Sequence, residues 1–419
     1  MRARVWLSWC LTLAVFGCGG PPREADGGLV TDPVDAGSTV DAGSTVDAGS
    51  MVDAGSTVDA GSIMDAGSAV DAGTDAGSAA VTLIGSGFGT KSIPAPFFWQ
   101  NFEASGSPTA LGYASDQLAF GSNSYGSTTA VDTLGGRRSG AGALTLSMMF
   151  TGTGDRDYFP HLAVHTSNQG SGSMSATDVY LSFWLKFVRT SGTHSGAVQL
   201  KGPRSGSGAV GTNFYTGLFN YVPNLWFSGA GALTSIFQET RALTGTISQG
   251  EHFNTTAAPA WRTGDWNFVE YRLHLNTPGV ADGSFKAFLN GRDATTGWDP
   301  TGRANYDQVR VREVGDTARF NWSFLTPGVD FPGMTGNATY QVSFAEHYVD
   351  TTFARVVATD DATYAQSTSW AVQSCTTWSD TQIRIDRPNW GTFSSNTTVY
   401  FHVFNAASVL VASLPRVVP

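Results

Sequence analysis

The chain has 419 residues, 50 of them glycine, and a formal net charge of −10. That length calls for more than one folded unit. Residues 19–80 hold ten Asp and one Glu against one Arg, Arg2 and Arg4 precede them, and residues 81–419 keep only −2. A near-neutral globular part excludes a charge-driven nucleic-acid partner.

Arg2 and Arg4 are followed by the mostly apolar run Val5 to Gly17. Residues 1–17 therefore read as an export signal, too short to span a bilayer. The run ends in Val15-Phe16-Gly17-Cys18, which resembles the lipobox of bacterial lipoproteins. That resemblance implies lipidation of Cys18 as the first mature residue, leaving plain secretion as the alternative. Gly19 in place of Asp implies the outer membrane or cell surface, with membrane contact through the lipid alone. Cys375 would then have no disulfide partner, and it reads as a small buried apolar residue.

Asp recurs every six residues from Asp35 to Asp71 in units near VDAGST. Such units offer little to bury, so residues 18–80 are expected to form a disordered tether extended by charge repulsion. Calcium-binding Asp repeats have a period of nine and an apolar residue that fills a core, and neither is present here.

Residues 81–91 read VTLIGSGFGTK, residues 378–385 WSDTQIRI and residues 398–406 TVYFHVFNA. These segments resemble the first strand, a middle strand and the last strand of an IPT/TIG domain, a small immunoglobulin-like sandwich. The resemblance implies that this domain is split into 81–93 and 353–419, with 94–352 inserted into one of its loops. An ordinary C-terminal β-domain, with GSGFG as a mere turn, is the alternative.

Between the two parts, alternating runs recur at 143–150, 179–188, 197–201, 264–276, 284–290, 308–314 and 340–350. Turn residues separate them, and no long period-3.6 stretch appears, so the fold class is all-β. The clearest pair is Gly264 to Gly291. Val269, Tyr271, Leu273 and Leu275 fall on one face of its first strand and Glu270, Arg272 and His274 on the other. The runs YLSFWLKF, GDWNFVEYRLHLN, DGSFKAFLNG and FAEHYVDTT resemble the concanavalin A-like jelly roll of laminin-G modules and of alginate and glucuronan lyases. The resemblance implies a jelly-roll sandwich and leaves activity open.

Retaining glycosidases of this fold use paired carboxylates. Glu239, Glu251, Glu270, Glu313 and Glu346 stand isolated, so no such pair is legible. A lyase needs a base and a group that neutralises a uronate carboxylate. Tyr215, His274 and Lys201 are the candidates for catalysis. Gln199, Arg204, Asn213, Arg272, Trp184 and Lys186 are the candidates for substrate binding. The lyases' R-x-E-x-R and Q-I-H runs are absent, so their catalysis is not carried over. No D-x-D-x-D run marks a metal site, and cofactors, structural calcium included, stay open. The reading is a surface glycan- or polysaccharide-binding lipoprotein acting through the polar face of a jelly-roll sheet. A uronate lyase and a protein-binding adhesin are the alternatives, so enzymatic activity is left undecided.

Overall fold

The computed structural model describes residues 80–419 without 103–127, 133–135, 138–141, 155–156, 159–162, 166–173, 202–203, 208–218, 229–232, 243–250, 254–260, 294–309, 321, 325–328 and 331–333. The expectations for the signal, Cys18 and the repeat lie outside these residues, as do Asn213 and Tyr215.

The described part is all-β. Its first strands are β1 (Val81–Ile84), β2 (Phe98–Gln100), β3 (Thr128–Asp132), β4 (Ala143–Gly154), β5 (Asp157–Tyr158) and β6 (Ala163–His165). They are followed by β7 (Asp178–Ser195), β8 (Ala197–Lys201), β9 (Arg204–Ser207), β10 (Phe219–Ser228), β11 (Leu233–Ala242) and β12 (Glu251–Phe253). Then come β13 (Asn267–His274), β14 (Ser284–Leu289), β15 (Arg292–Asp293), β16 (Trp322–Phe324), β17 (Val329–Asp330) and β18 (Met334–Asp350). The last are β19 (Arg355–Thr359), β20 (Trp370–Val372), β21 (Thr377–Trp378), β22 (Gln382–Ile385), β23 (Thr398–Phe404) and β24 (Leu410–Val417).

Sheet I has eight strands, in the order β15-β14-β13-β7-β18-β4-β3 with β2 on β18. Sheet II has nine, in the order β5-β17-β8-β10-β9-β16-β6 with β11 and β12 beyond β10. All the pairings are antiparallel, and consecutive strands often lie in different sheets, as in a jelly roll. One core joins the sheets. Leu181, Phe183, Leu185, Phe187, Val269, Tyr271 and Leu273 from sheet I meet Val198, Leu200 and Phe227 from sheet II. These are the alternate positions of each strand, so alternation in the sequence becomes the inner face of the sandwich.

A smaller sandwich pairs β1-β22-β21 with β20-β19-β23-β24. β1 precedes the large sheets in the chain and β22 follows them, yet Val81 stands opposite Ile385 and Leu83 opposite Ile383. Leu83, Phe88, Val356, Ile383, Ile385, Phe401 and Val403 make a second core. Cys375 is buried beside them, and burial pushes its thiol up to about 12, so it is an inert packing group.

One expected strand is corrected. Residues 310–313 form no strand. The side chain of the buried Asn276 takes their backbone groups instead. Its Oδ1 accepts from Val311 N and Arg312 N, and its Nδ2 donates to Arg312 O, each at 2.9 Å. Once a side-chain amide satisfies these groups, no neighbouring strand is needed.

Candidate functional site

Each large sheet has one face turned away from the shared core, and the two outer faces differ. On sheet I it carries Tyr180 and Trp184 from β7, Phe268 and Glu270 from β13, and Ala345 and Tyr348 from β18. These residues are buried against Val357, Tyr364, Trp370, Val372 and Phe404 of the small sandwich. Phe268 stacks on Trp370 with ring centroids 5.6 Å apart and planes 8° from parallel.

Three carboxylates of sheet I are buried in this seam, and each meets a cation. Glu270 Oε1 accepts from Tyr180 OH at 2.8 Å and Arg355 Nη2 at 3.4 Å, and its Oε2 accepts from Tyr364 OH at 2.9 Å. Asp350 takes Lys91 Nζ at 2.5 Å and Tyr348 OH at 2.8 Å. Glu346 takes Arg137 Nη2 at 2.8 Å and Asn389 Nδ2 at 2.9 Å. It lies in a bulge of β18 with a φ of 54°. The extra residue of the bulge turns its carboxylate toward Arg137, whose guanidinium lies 3.8 Å over the Trp184 ring.

Burial first, and then the Glu270 charge, push the Tyr180 and Tyr364 hydroxyls up, so both donate as neutral phenols. Burial works against the Arg355 charge, but Tyr180, Glu270 and Tyr364 outweigh it and hold its pKa above the usual value. Burial and the neighbouring Arg355 lower that of Arg272.

The residues singled out in the sequence are scattered by this architecture. Trp184 is 2% exposed and packs between Phe268 and Trp370, so it offers no platform for a sugar. In register Phe268 faces Trp184, whereas Arg272 faces Tyr180 and His274 faces Asp178. Trp184 therefore lies at the other end of β13 from Arg272 and His274. Lys186 is half-buried opposite Ser343. The Nδ1 of His274 lies 2.7 Å from Asp178 Oδ1, which raises the His274 pKa. The small sandwich packs on the polar face of β13 at Glu270 and buries it, while His274 at the end of the strand stays partly exposed.

Sheet II collects the others. Val198 and Leu200 are buried in the core, so alternation sets position 199 between them on the outer face. Gln199 is half-buried there and stands in register with Trp226 on one neighbour and Asp330 on the other. Lys201 stands opposite Asn224, and Arg204 on β9 opposite Phe324. Among the described residues, no group of three His, Cys, Asp or Glu is placed to hold a metal.

The sequence reading missed Arg355, Arg137, Glu346 and Asp350. Glu270 and Arg355 are 85 residues apart, so no local pattern joins them. The nearest signal was Glu270 itself, a charge in an otherwise apolar strand.

No family model matches the chain, and neither does any curated protein. Solved structures share the all-β fold at low identity. An alginate lyase from Aplysia kurodai is 13% identical, with 61% of this chain and 98% of that chain covered and a TM-score of 0.38. An endo-β-1,4-glucuronan lyase from Trichoderma reesei is 12% identical, with 62% and 97% covered and a TM-score of 0.37. A sialidase carbohydrate-binding module from Ruminococcus gnavus, bound to α2,3-sialyllactose, is 15% identical, with 47% and 90% covered and a TM-score of 0.23.

Proposed function

We propose that the chain binds a polysaccharide through the outer face of sheet II. The observation that carries this reading is the difference between the two outer faces. The small sandwich covers the centre of sheet I, while on sheet II Gln199 and Lys201 stand in register with Trp226, Asn224 and Asp330. Amide, cation, carboxylate and indole in neighbouring rows are the groups that bond hydroxyls and stack on sugar rings.

A second reading uses the same rows. Lys201 and Gln199 lie two residues apart on one strand face, and a base beside an amide is what proton abstraction next to a uronate carboxylate needs.

We further propose that Cys18 is lipidated, that the Asp repeat spaces the folded part from the outer membrane, and that the small sandwich is an IPT/TIG-like domain into which the jelly roll is inserted. The Val15-Phe16-Gly17-Cys18 run supports the first of these and the β1–β22 pairing the last.

The test incubates the full chain with a panel of neutral and uronate polysaccharides. Affinity electrophoresis and ultraviolet absorbance of an unsaturated product are followed together. Retardation that Gln199→Ala or Lys201→Ala weakens, without new absorbance, supports binding. New absorbance with one polymer establishes the lyase reading. Neither signal overturns both and favours a protein partner.

A further inference from the structure

Arg272 has a setting unlike that of the other seam cations. Its guanidinium lies 3.8 Å from the centroid of the Phe288 ring on β14 and 5.9 Å from that of Phe404 on β23. Large sheet and small sandwich thus each supply an aromatic wall. The side chain is 16% exposed. Its approach to Glu270 is 3.9 Å, beyond hydrogen-bond reach, because that carboxylate is committed to Tyr180, Tyr364 and Arg355. Nε is buried with no hydrogen-bond partner, and among the described residues nothing accepts a hydrogen bond from the other two nitrogens.

The charges do not balance either. Arg272 and Arg355 share the single carboxylate of Glu270, and the two tyrosines beside it stay neutral. His274, two residues along β13, is engaged with Asp178. A largely desolvated guanidinium with its fork unfilled, in a net-positive setting, is a receptor for a planar oxyanion.

We propose that Arg272, walled by Phe288 and Phe404, is a carboxylate-binding site at the seam of the two sandwiches. Its ligand is a free small carboxylate or the carboxylate of a uronate unit in a polymer. The site is separate from the outer face of sheet II and does not depend on that reading. A bound carboxylate would touch elements of both sandwiches and so tighten their junction.

Calorimetric titration of the full chain with sodium glucuronate tests this, with glucose as the neutral control at matched ionic strength. Saturable binding of glucuronate and none of glucose is expected. Arg272→Gln should weaken it by roughly tenfold or more, the effect of losing a charge-assisted hydrogen bond. Arg272→Lys keeps the charge but loses the fork. It should weaken binding too, and it serves as the test if the Gln variant does not fold. Arg384→Ala, at an exposed arginine of β22 paired with Asp386, should leave glucuronate binding unchanged. A polyuronate that binds at least tenfold tighter per site than the monomer identifies the polymer as the source, and equal affinity identifies the free acid. Absence of saturable binding to either, or binding unaltered in both Arg272 variants, would overturn the proposal.

Discussion

The carboxylate of Glu270 on β13 lies 3.4 Å from the guanidinium of Arg355 on β19, and both side chains are fully withdrawn from solvent. One belongs to the large sandwich and the other to the small one. Each is hydrogen-bonded further, Glu270 to two tyrosines and Arg355 to Phe353 O and Ser408 Oγ. Removing one partner leaves a buried, uncompensated charge. Arg355→Met should therefore destabilise the chain by about 3–5 kcal/mol. Pairing it with Glu270→Leu should recover part of that loss. Denaturant titration of both singles and the double variant measures the coupling.

The same seam implies that the large sandwich needs the small one. A chain stopped at Thr352 would uncover Tyr180, Trp184, Phe268 and Tyr348 together with the Glu270 carboxylate. We expect such a chain to bind hydrophobic dyes and to aggregate on gel filtration, whereas the full chain should run as a discrete species. A well-behaved truncated chain would show that the seam contributes little.

His347 is fully buried beside Phe98, and burial lowers its pKa to about 3. The unfolded histidine titrates near 6.5, so between these values the unfolded state binds more protons than the folded one. Stability linked to this residue is complete above about pH 6.5 and falls as pH drops toward 3. Going from pH 7 to pH 5 should remove about 2 kcal/mol. His347→Gln should flatten that limb of the stability–pH curve in denaturant titrations.

His274 behaves in the opposite sense. Its bond to Asp178 raises its pKa, so the stability it contributes is present below the unfolded value and is lost as pH rises through the folded one. The pair is partly exposed, and solvent screening keeps its contribution small. Proton NMR should find the His274 ring titrating above an ordinary histidine, and Asp178→Asn should bring it back down.

Gly291 follows β14 with a φ of +74°, and a Cβ there would come within 2.9 Å of Trp370 Cζ2. Gly291→Ala should cost about 1–3 kcal/mol through strain and overpacking. Thermal unfolding of the variant would show whether the turn seats the seam.

Strands were legible where one face packs a core. β8 matches its expected bounds, and β13 buries Val269, Tyr271 and Leu273 as expected on its inner face. The expectation failed at residues 310–313, where the Asn276 side chain captures the backbone. It also failed on the outer face of sheet I. Glu270, Arg272 and His274 read as the polar face of the strand, yet the first is buried and the second nearly so. A buried, paired charge and a hydrated one look alike in a sequence when the partner is 85 residues away.

The sequence by itself determined the all-β class and the inner face of the central strands. Side-chain alternation is a local property of the strand and needs no knowledge of what packs against it. The tertiary structure alone decided which outer face is covered. It grouped Trp184 with Trp370 instead of with Arg272, and it left the Arg272 fork open at a seam. Those outcomes depend on contacts between residues far apart in the chain, where burial and charge balance are set by the whole packing.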